Sequence, residues 1–275
     1  MCGILGLYST AVNLNEAAVR VNLQRGLQRL HHRGPDGQGI CFIPSCGVAL
    51  AHTRLSIIDV DSRSDQPMST EDQQCWVVFN GEIYNYQGLR EELMAADVTF
   101  VTASDTEVLL KGYQHWGIDQ LLQKIVGMFA FAIFDVNRQI LILARDRFAK
   151  KPLYYYQHGN VLYFASELAA LLELLPVRPS LSAEGLAAFL TVKFSPSTSH
   201  LLTHVQSVPA AHYFIIDKTN HFKKKKYWSP YQLYLSGDES PSTIEDLLIQ
   251  AVRRRLVSDV PICLFLSGGI DSSLL

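Results

Sequence analysis

Cys2, the second residue of the chain, is the side chain whose position best suits it to act as a nucleophile. Removal of Met1, which a small second residue permits, would leave a thiol and a free α-amine on one residue. An α-amine titrates at about 7.7–8.0, and the thiolate is the reactive form of cysteine. An N-terminal cysteine therefore brings its own base and needs no distant histidine. Cys2 alone is a weak indication, since most cysteines at this position have no catalytic role.

A nucleophile at the chain end needs hydrogen-bond donors for a developing oxyanion and a clamp for its substrate. Asn80 and Gly81 directly follow the apolar segment Trp76–Phe79, so an amide side chain and an unhindered backbone N–H emerge together. Arg54 can bind a carboxylate through two parallel hydrogen bonds. Asp105 stands at a predicted helix start, where it either caps the helix or binds an amine. For Arg54 and Asp105 taken singly, a surface ion pair and an ordinary cap are the more frequent explanations.

A glycine-rich segment near the end of the chain has the composition of a phosphate-binding loop. The apolar segment Ile262–Leu266 predicts a strand, and it runs into Ser-Gly-Gly-Ile-Asp-Ser-Ser at 267–273. Small residues let a phosphate approach the backbone N–H groups at a helix start, and serines add hydroxyl donors. No Gly-Lys-Ser/Thr follows, which excludes a Walker A loop. The other explanation is a tight turn that binds nothing. The residues predicted to bind phosphate are Leu266, Ser267, Gly268, Gly269, Asp271, Ser272 and Ser273.

Strands and helices that position these residues are predicted along most of the chain. The predicted strands are Gly3–Tyr8, Trp76–Phe79, Phe129–Asp135, Gln139–Arg145, Tyr154–Gln157, Val161–Phe164, Tyr213–Asp217, His221–Trp228 and Ile262–Leu266. Helices are predicted over Asn15–Leu30 and Thr106–Trp116, with Ser104 and Asp105 at the N-cap of the second. Another helix begins near Ser242, which has capping-box spacing with Glu245.

These elements divide the chain into a first domain at 1–213, a connecting hairpin and linker at 214–241, and a second unit at 242–275. The second unit has only about 35 residues, and domains need at least ~50. We therefore expect it to be the start of a longer domain.

Composition favours a soluble globular protein. The chain has 275 residues, 48% of them hydrophobic, and a formal net charge of −2. This near-neutral balance gives no reason to expect nucleic acid or an anionic membrane as a partner. No apolar run approaches the ~18 residues of a spanning helix. The five cysteines lack zinc-ligand spacing, so we expect reduced thiols and a cytoplasmic location, with no bound metal in this part of the chain.

Over essentially its whole length the chain resembles the glutamine-dependent asparagine synthetase family. The segments that match are Met1–Gly6, His32–Gly37, Ala51–Asp59, Asn80–Tyr86, Ser104–Glu107, Gly127–Asp135, Arg145–Tyr155, Phe164–Leu171 and Ser267–Ser273. The resemblance implies a class II glutamine amidotransferase domain with a four-layer αββα N-terminal-nucleophile fold, an α+β class. It also implies the beginning of an α/β ATP-pyrophosphatase domain.

The resemblance assigns a role to each candidate residue. Cys2 would attack the side-chain amide of glutamine, and Asn80 and Gly81 would form the oxyanion hole. The remaining residues expected to bind glutamine are Arg54, Leu55, Ser56, Ile57, Ile58, Glu82 and Asp105. The second domain would use ATP, with Mg²⁺, to adenylate aspartate, which ammonia then converts to asparagine. A homodimer is a further possibility.

Two departures from the family pattern concern backbone conformation. Ala149 stands where the family commonly has a glycine after Asp-Arg-Phe, and Pro209-Ala210-Ala211-His212 replaces Pro-Pro-Gly-His. If the glycine at 149 has positive φ, Ala149 costs about 1 kcal/mol or more. Neither departure touches the predicted glutamine residues.

Three alternatives to asparagine synthesis remain. The first is a paralogue that amidates another carboxylate, such as a sugar acid. The second is a cyclase that adenylates a carboxylate but uses an internal amine, which an intact Cys2 argues against. The third is a non-catalytic regulatory protein, which the joint presence of Cys2, Arg54, Asn80, Gly81 and Asp105 disfavours.

Overall fold

The structure, a computed structural model, describes residues 1–11, 14–194, 200–231 and 243–274. Its strands are β1 (Gly3–Ser9), β2 (Gly37–Ile43), β3 (Val48–Arg54), β4 (Met68–Ser69), β5 (Cys75–Ile83), β6 (Gly127–Asp135), β7 (Ile140–Arg145), β8 (Tyr154–His158), β9 (Val161–Ala165), β10 (Val205–Ser207), β11 (His212–Asp217) and β12 (Phe222–Lys226). Its helices are α1 (Glu16–Leu30), α2 (Tyr86–Ala95), α3 (Asp105–Lys124), α4 (Leu168–Leu174), α5 (Ala183–Val192), α6 (Ile244–Arg255) and α7 (Ile270–Leu274).

The strands form two six-stranded antiparallel sheets. The first has the order β10-β8-β9-β1-β3-β2, and the second has the order β12-β11-β7-β6-β5-β4. Central strands are continuous apolar runs because both of their faces are buried. In β6, Phe131 and Ile133 point to the helices outside the second sheet, whereas Ala132 and Phe134 point to the first sheet. This alternation follows from the two-residue period of a strand.

The layers stack as helix, sheet, sheet, helix. Helices α1 and α4 cover the outer face of the first sheet through a cluster that includes Leu23, Leu27 and Leu171. Helices α2 and α3 cover the second sheet through a cluster that includes Leu93 and Leu109. A third cluster fills the space between the sheets. The predicted α+β, four-layer αββα architecture is confirmed.

The first part of the predicted connecting hairpin and linker at 214–241 does form a hairpin, and that hairpin belongs to the second sheet. Residues 212–217 form β11, which pairs with β7 and then with β12 at the sheet edge. Phe214 and Ile216 are fully buried between the sheets, so burial of apolar surface draws the hairpin into the sandwich. Residues 232–242, which hold the rest of the predicted linker, lie outside the described residues.

The last unit differs from its prediction in two details. Helix α6 has a capping box formed by Thr243 and Asp246, one residue after the predicted pair. The predicted strand Ile262–Leu266 is wrong: its backbone forms no strand, and Phe265 is 94% exposed. A strand is held by hydrogen bonds to a neighbour, and among the described residues no strand pairs with this segment.

The structure bears on the predictions of reduced thiols and of no membrane-spanning helix. All five cysteines are free thiols, which include the neighbouring pair Cys41 and Cys46. Within the described ranges, no helix has both the length and the apolar character needed to span a membrane.

Candidate active site

A cavity of about 230 Å³ opens where the start of β1 and the ends of β3 and β5 converge. It brings together residues that are far apart in sequence. Of the predicted residues, those that line it are Cys2, Arg54, Leu55, Ile57, Ile58, Asn80, Gly81, Glu82 and Asp105. Ser56 does not line the cavity; its backbone N–H donates to the Asp36 carboxylate at 2.8 Å. Cavity residues absent from the prediction are Met1, Ser64, Gln66, Phe79, Ser104, Thr106, Met128 and Lys151.

The thiol of Cys2 is nearly enclosed by the cavity wall. The backbone N–H of Leu55 donates to its Sγ at 3.4 Å. Burial raises the pKa of the Cys2 thiol, although the Leu55 N–H, the nearby N-terminal amine and Lys151 oppose this effect. Burial also lowers the pKa of the Met1 amine, which lies at the same end of the cavity. The thiol is therefore protonated at rest and needs a neighbouring base.

Arg33 fixes the backbone of Cys2. Its Nε donates to the Cys2 carbonyl at 2.9 Å, and its Nη1 donates to the Glu167 carboxylate at 2.8 Å. The guanidinium is buried, and Glu167 precedes α4, which packs against α1. Arg33 is not among the predicted site residues, because its carbonyl partner is set by tertiary packing.

Asn80 presents an unsatisfied amide to the cavity. The residue is fully buried, and neither its Nδ2 nor its Oδ1 has a hydrogen-bond partner among the described residues. Burying an unpaired amide costs about 1–3 kcal/mol. An amide held in this way is available to a bound ligand at once, because no protein partner must be released.

The backbone N–H of Gly81 points into the same region. On this edge of β5, the N–H of Phe79 donates to Gln66 and the N–H of Ile83 donates to Asp105. Successive backbone groups of a strand alternate in direction, so the Gly81 N–H lies between these two and faces the same way. A Cβ at Gly81 would lie 2.3 Å from the Met128 carbonyl, which leaves no room for a side chain.

Arg54 is held by the loop that follows β3. Its Nη1 donates to the Asp61 carbonyl at 2.9 Å and to the Asp65 carboxylate at 2.6 Å, and its Nη2 donates to the Asp59 carbonyl. A guanidinium has five N–H groups. The two remaining N–H groups, on Nε and Nη2, have no partner among the described residues and form the edge that matches a carboxylate.

Glu82, Asp105 and Lys151 place charge around the cavity. Burial raises the pKa of Asp105 to about 7, and the neighbouring Glu82 adds to the effect. Burial also raises the pKa of Glu82, whereas the Lys151 ammonium lowers it. Two partly desolvated carboxylates beside one ammonium make a region that favours a ligand with a further positive charge.

The turn before β8 positions Lys151. The buried Asp146 carboxylate accepts the backbone N–H groups of Phe148, Lys150 and Lys151, each at 3.0 Å. Ala149 in this turn has φ +53°, and Ala211 has φ +59°. Both departures from the family's glycines therefore fall where an L-residue is strained, as the sequence comparison anticipated for Ala149.

The glycine-rich segment stands apart from the cavity. Gly268 has φ +76°, and the hydroxyls of Ser267 and Ser272 lie 2.8 Å apart. The seven residues predicted to bind phosphate are exposed apart from the half-buried Ser272, and none lines the cavity. Their local turn and helix start agree with the sequence pattern.

Comparison with known protein families assigns the domain that contains this cavity. The model of the glutamine amidotransferase domain family matches residues 1–228. The chain belongs to this family. The asparagine synthase family model matches residues 243–275, so the resemblance to both parts of that enzyme is confirmed. The amidotransferase domain thus includes the β11–β12 hairpin.

Curated relatives and solved structures agree with this assignment. Asparagine synthetase [glutamine-hydrolyzing] 1 of Bacillus subtilis is 38% identical over 100% of this chain and 43% of its own length. Amidase chry2 of Gibberella zeae is 35% identical over 99% of this chain and 42% of its own length. The chain therefore spans less than half the length of these two relatives.

Glutamine phosphoribosylpyrophosphate amidotransferase of B. subtilis, in a solved structure with ADP and GMP, has a TM-score of 0.57 at 20% identity. This match covers 82% of this chain and 49% of that one, and it shows the fold alone.

Proposed function

We propose that this chain hydrolyses glutamine to glutamate and ammonia at Cys2, as the amide-donating part of a carbon–nitrogen ligase. The observation that carries the proposal is that the Cys2 thiol lines the same cavity as the buried amide of Asn80, which has no partner in the described part of the chain. A hydrolase of amides needs donors for a tetrahedral oxyanion, and Asn80 Nδ2 with the Gly81 N–H supplies two.

Removal of Met1, once and before catalysis, makes Cys2 the N-terminus. Its α-amine takes the thiol proton, and Sγ attacks the side-chain carbonyl carbon of glutamine. The oxyanion accepts hydrogen bonds from Asn80 and Gly81. Its collapse breaks the carbon–nitrogen bond, the amine returns the proton to the leaving group as ammonia, and water then releases glutamate from the thioester.

The other cavity residues hold the amino-acid end of glutamine. The Nε and Nη2 edge of Arg54 binds the α-carboxylate. Glu82 and Asp105 bind the α-ammonium, whose charge favours ionised carboxylates in the occupied site. The 55–59 loop, which includes Leu55, Ile57 and Ile58, closes the remaining wall, and Ser56 holds the loop through Asp36.

We further propose that ammonia amidates an aspartate activated by ATP, which yields asparagine, AMP and pyrophosphate. The match of residues 243–275 to asparagine synthase supports ATP binding by the glycine-rich segment. Mg²⁺ is expected with ATP. No cluster of three or more His, Cys, Asp or Glu suited to a metal occurs in the part of the chain that the structure describes.

A second candidate is amidation of a different carboxylate by the same ammonia. A relative at 35% identity is named an amidase and not an asparagine synthetase, so similarity at this level does not fix the acceptor. The two candidates share the glutaminase reaction and differ only in the acceptor.

The glutaminase reaction is tested by ammonia release from glutamine. Purified chain beginning at Cys2 should produce ammonia and glutamate in equal amounts, and Cys2→Ala should produce neither. Cys41→Ala, which removes a thiol distant from the cavity, is the matched control and should retain activity. Ammonia production by Cys2→Ala, or full activity in protein shown by mass spectrometry to retain Met1, would contradict the proposal.

A further inference from the structure

The segment that follows α6 is hydrogen-bonded to the wall of the glutamine cavity. The Asp259 carboxylate accepts the backbone N–H of Asp59 at 2.6 Å, and the Asp259 N–H donates to the Ile57 carbonyl at 2.9 Å. The two partners are 200 residues apart in sequence, and they belong to the regions matched by two different family models. A residue of the asparagine synthase region thus contacts the 55–59 loop directly.

The backbone at Asp59 is the point at which this contact affects the site. Asp59 has φ +51°, a conformation that a non-glycine residue keeps only when surrounding contacts hold it. Its carbonyl accepts a hydrogen bond from Arg54 Nη2, the group proposed to bind the α-carboxylate of glutamine. A continuous chain of bonds therefore runs from Asp259 through the Asp59 backbone to Arg54.

Asp59 is also anchored from its own domain. Its carboxylate accepts the Ala103 N–H at 2.7 Å and the Ser64 hydroxyl at 2.8 Å. These contacts fix the side chain, whereas Asp259 fixes the backbone N–H. Loss of Asp259 is therefore expected to loosen the loop without unfolding it.

Two further contacts hold the Asp259 segment in place. The Arg255 guanidinium lies 4.7 Å from the ring centre of Tyr84, and Val257 packs against the core cluster under α2 and α3. Asp259 therefore extends from a segment that is itself packed against the amidotransferase domain.

We propose that Asp259 is a positioning residue for glutamine binding: it holds the Asp59 backbone, and through it Arg54, in the orientation that receives the α-carboxylate. This role rests on the proposed glutaminase function. The segment around Asp259, just before the glycine-rich loop, then belongs to the glutamine site. The affinity for glutamine depends on whether this segment is bound to the 55–59 loop.

Glutamine kinetics of three variants test the role. Asp259→Ala removes the acceptor and should raise KM for glutamine about tenfold, with kcat within twofold of the unmodified chain. Asp259→Asn retains an acceptor oxygen for the Asp59 N–H and should restore most of the affinity. Glu245→Ala removes a carboxylate from the exposed surface of α6 and should change neither parameter.

A substrate without the α-carboxylate separates positioning from a general structural effect. With 4-aminobutanamide, Asp259→Ala and the unmodified chain should have the same KM, because Arg54 has no group to bind. An equal rise in KM for both substrates, or an unchanged KM for glutamine, would overturn the role. If Asp259→Ala does not fold, Asp259→Glu serves instead, because its longer side chain displaces the carboxylate while keeping the charge. Absence of glutaminase activity in the unmodified chain would refute the proposed function itself, which is a separate outcome.

Discussion

The carboxylate of Asp105 accepts a hydrogen bond from the backbone N–H of Ile83 at 3.0 Å, which joins the first turn of α3 to the end of β5. The helix cap is Ser104, whose hydroxyl accepts the Glu107 N–H at 3.2 Å. Asp105 is therefore not the capping residue and is free to face the cavity. The same bond holds the buried Asp105 carboxylate in the cavity that Asn80 and Gly81 line.

Glutamine binding should weaken as the pH falls through about 7. Burial raises the pKa of Asp105 to about 7, so below that pH the carboxyl becomes neutral and attracts the substrate ammonium less. KM for glutamine measured between pH 6 and 8.5 should rise toward acid. Asp105→Asn should have a higher KM that no longer changes through this window. A wild-type KM that is flat from pH 6 to 8.5 would contradict the assignment.

The same shift predicts how stability responds to pH. The folded Asp105 binds a proton more tightly than the unfolded residue, so its contribution to stability falls as the pH rises from about 4 to 7. Asp105→Asn should therefore raise the melting temperature more at pH 8 than at pH 5. The difference between variant and wild type at each pH cancels the other titrating groups. A smaller gain at pH 8 than at pH 5 would reverse the expected sign.

Removal of the Asn80 amide should affect turnover more than substrate binding. Asn80→Ala is expected to lower kcat by about 10²–10³-fold if the amide donates to the oxyanion. The unfolding free energy should not fall, because the amide has no hydrogen-bond partner among the residues that the structure describes. Asn85→Ala is the control: its amide binds the Lys124 carbonyl and the Val126 N–H, so it should lose stability. A rise in KM with unchanged kcat would give Asn80 a binding role instead.

Lys151 should lower the pKa of the Cys2 thiol. Its ammonium lies in the same cavity and favours the thiolate. In Lys151→Met, the pH midpoint for alkylation of Cys2 by iodoacetamide should rise. Lys150→Met changes an exposed neighbour and should leave the midpoint unchanged. Equal midpoints in Lys151→Met and Lys150→Met would show that the two charges do not interact.

Glycine at position 149 should stabilise the protein. Ala149 has φ +53° and is only half-buried, so Ala149→Gly should raise the unfolding free energy by about 0.5–1 kcal/mol. Ala211→Gly should be near neutral, because relief at φ +59° is offset by loss of a buried methyl worth about 0.8 kcal/mol. Ala187→Gly, on the exposed surface of α5, should cost about 1 kcal/mol. Denaturant titration measures all three, and a destabilised Ala149→Gly would refute the strain argument.

The amino-acid sequence determined the fold class and most of the candidate site through its resemblance to the asparagine synthetase family, which depends on motifs at fixed positions along the chain. Continuous apolar runs predict strands such as β6, and the motif positions alone indicate residues such as Cys2, Asn80 and Gly81. The helix of α3 was anticipated only to Trp116, whereas it continues past a break at Gly117 to Lys124. The apolar period along the sequence is interrupted at Gly117, so the pattern predicts that the helix ends there. The turns that follow remain helical because Ile118, Leu121 and Leu122 pack against the core.

Tertiary structure alone decided which residues share the cavity and what state they are in. Arg33 and Lys151 were absent from the prediction, since their partners are backbone groups and charges brought near by the two sheets. The placement of β11 and β12 in the second sheet, and the failure of Ile262–Leu266 to form a strand, have the same origin. A strand forms only where an adjacent strand pairs with its backbone hydrogen-bonding groups. The pKa of a buried charge likewise depends on the groups packed around it. Neither the adjacent strand nor these surrounding groups can be identified from sequence order alone.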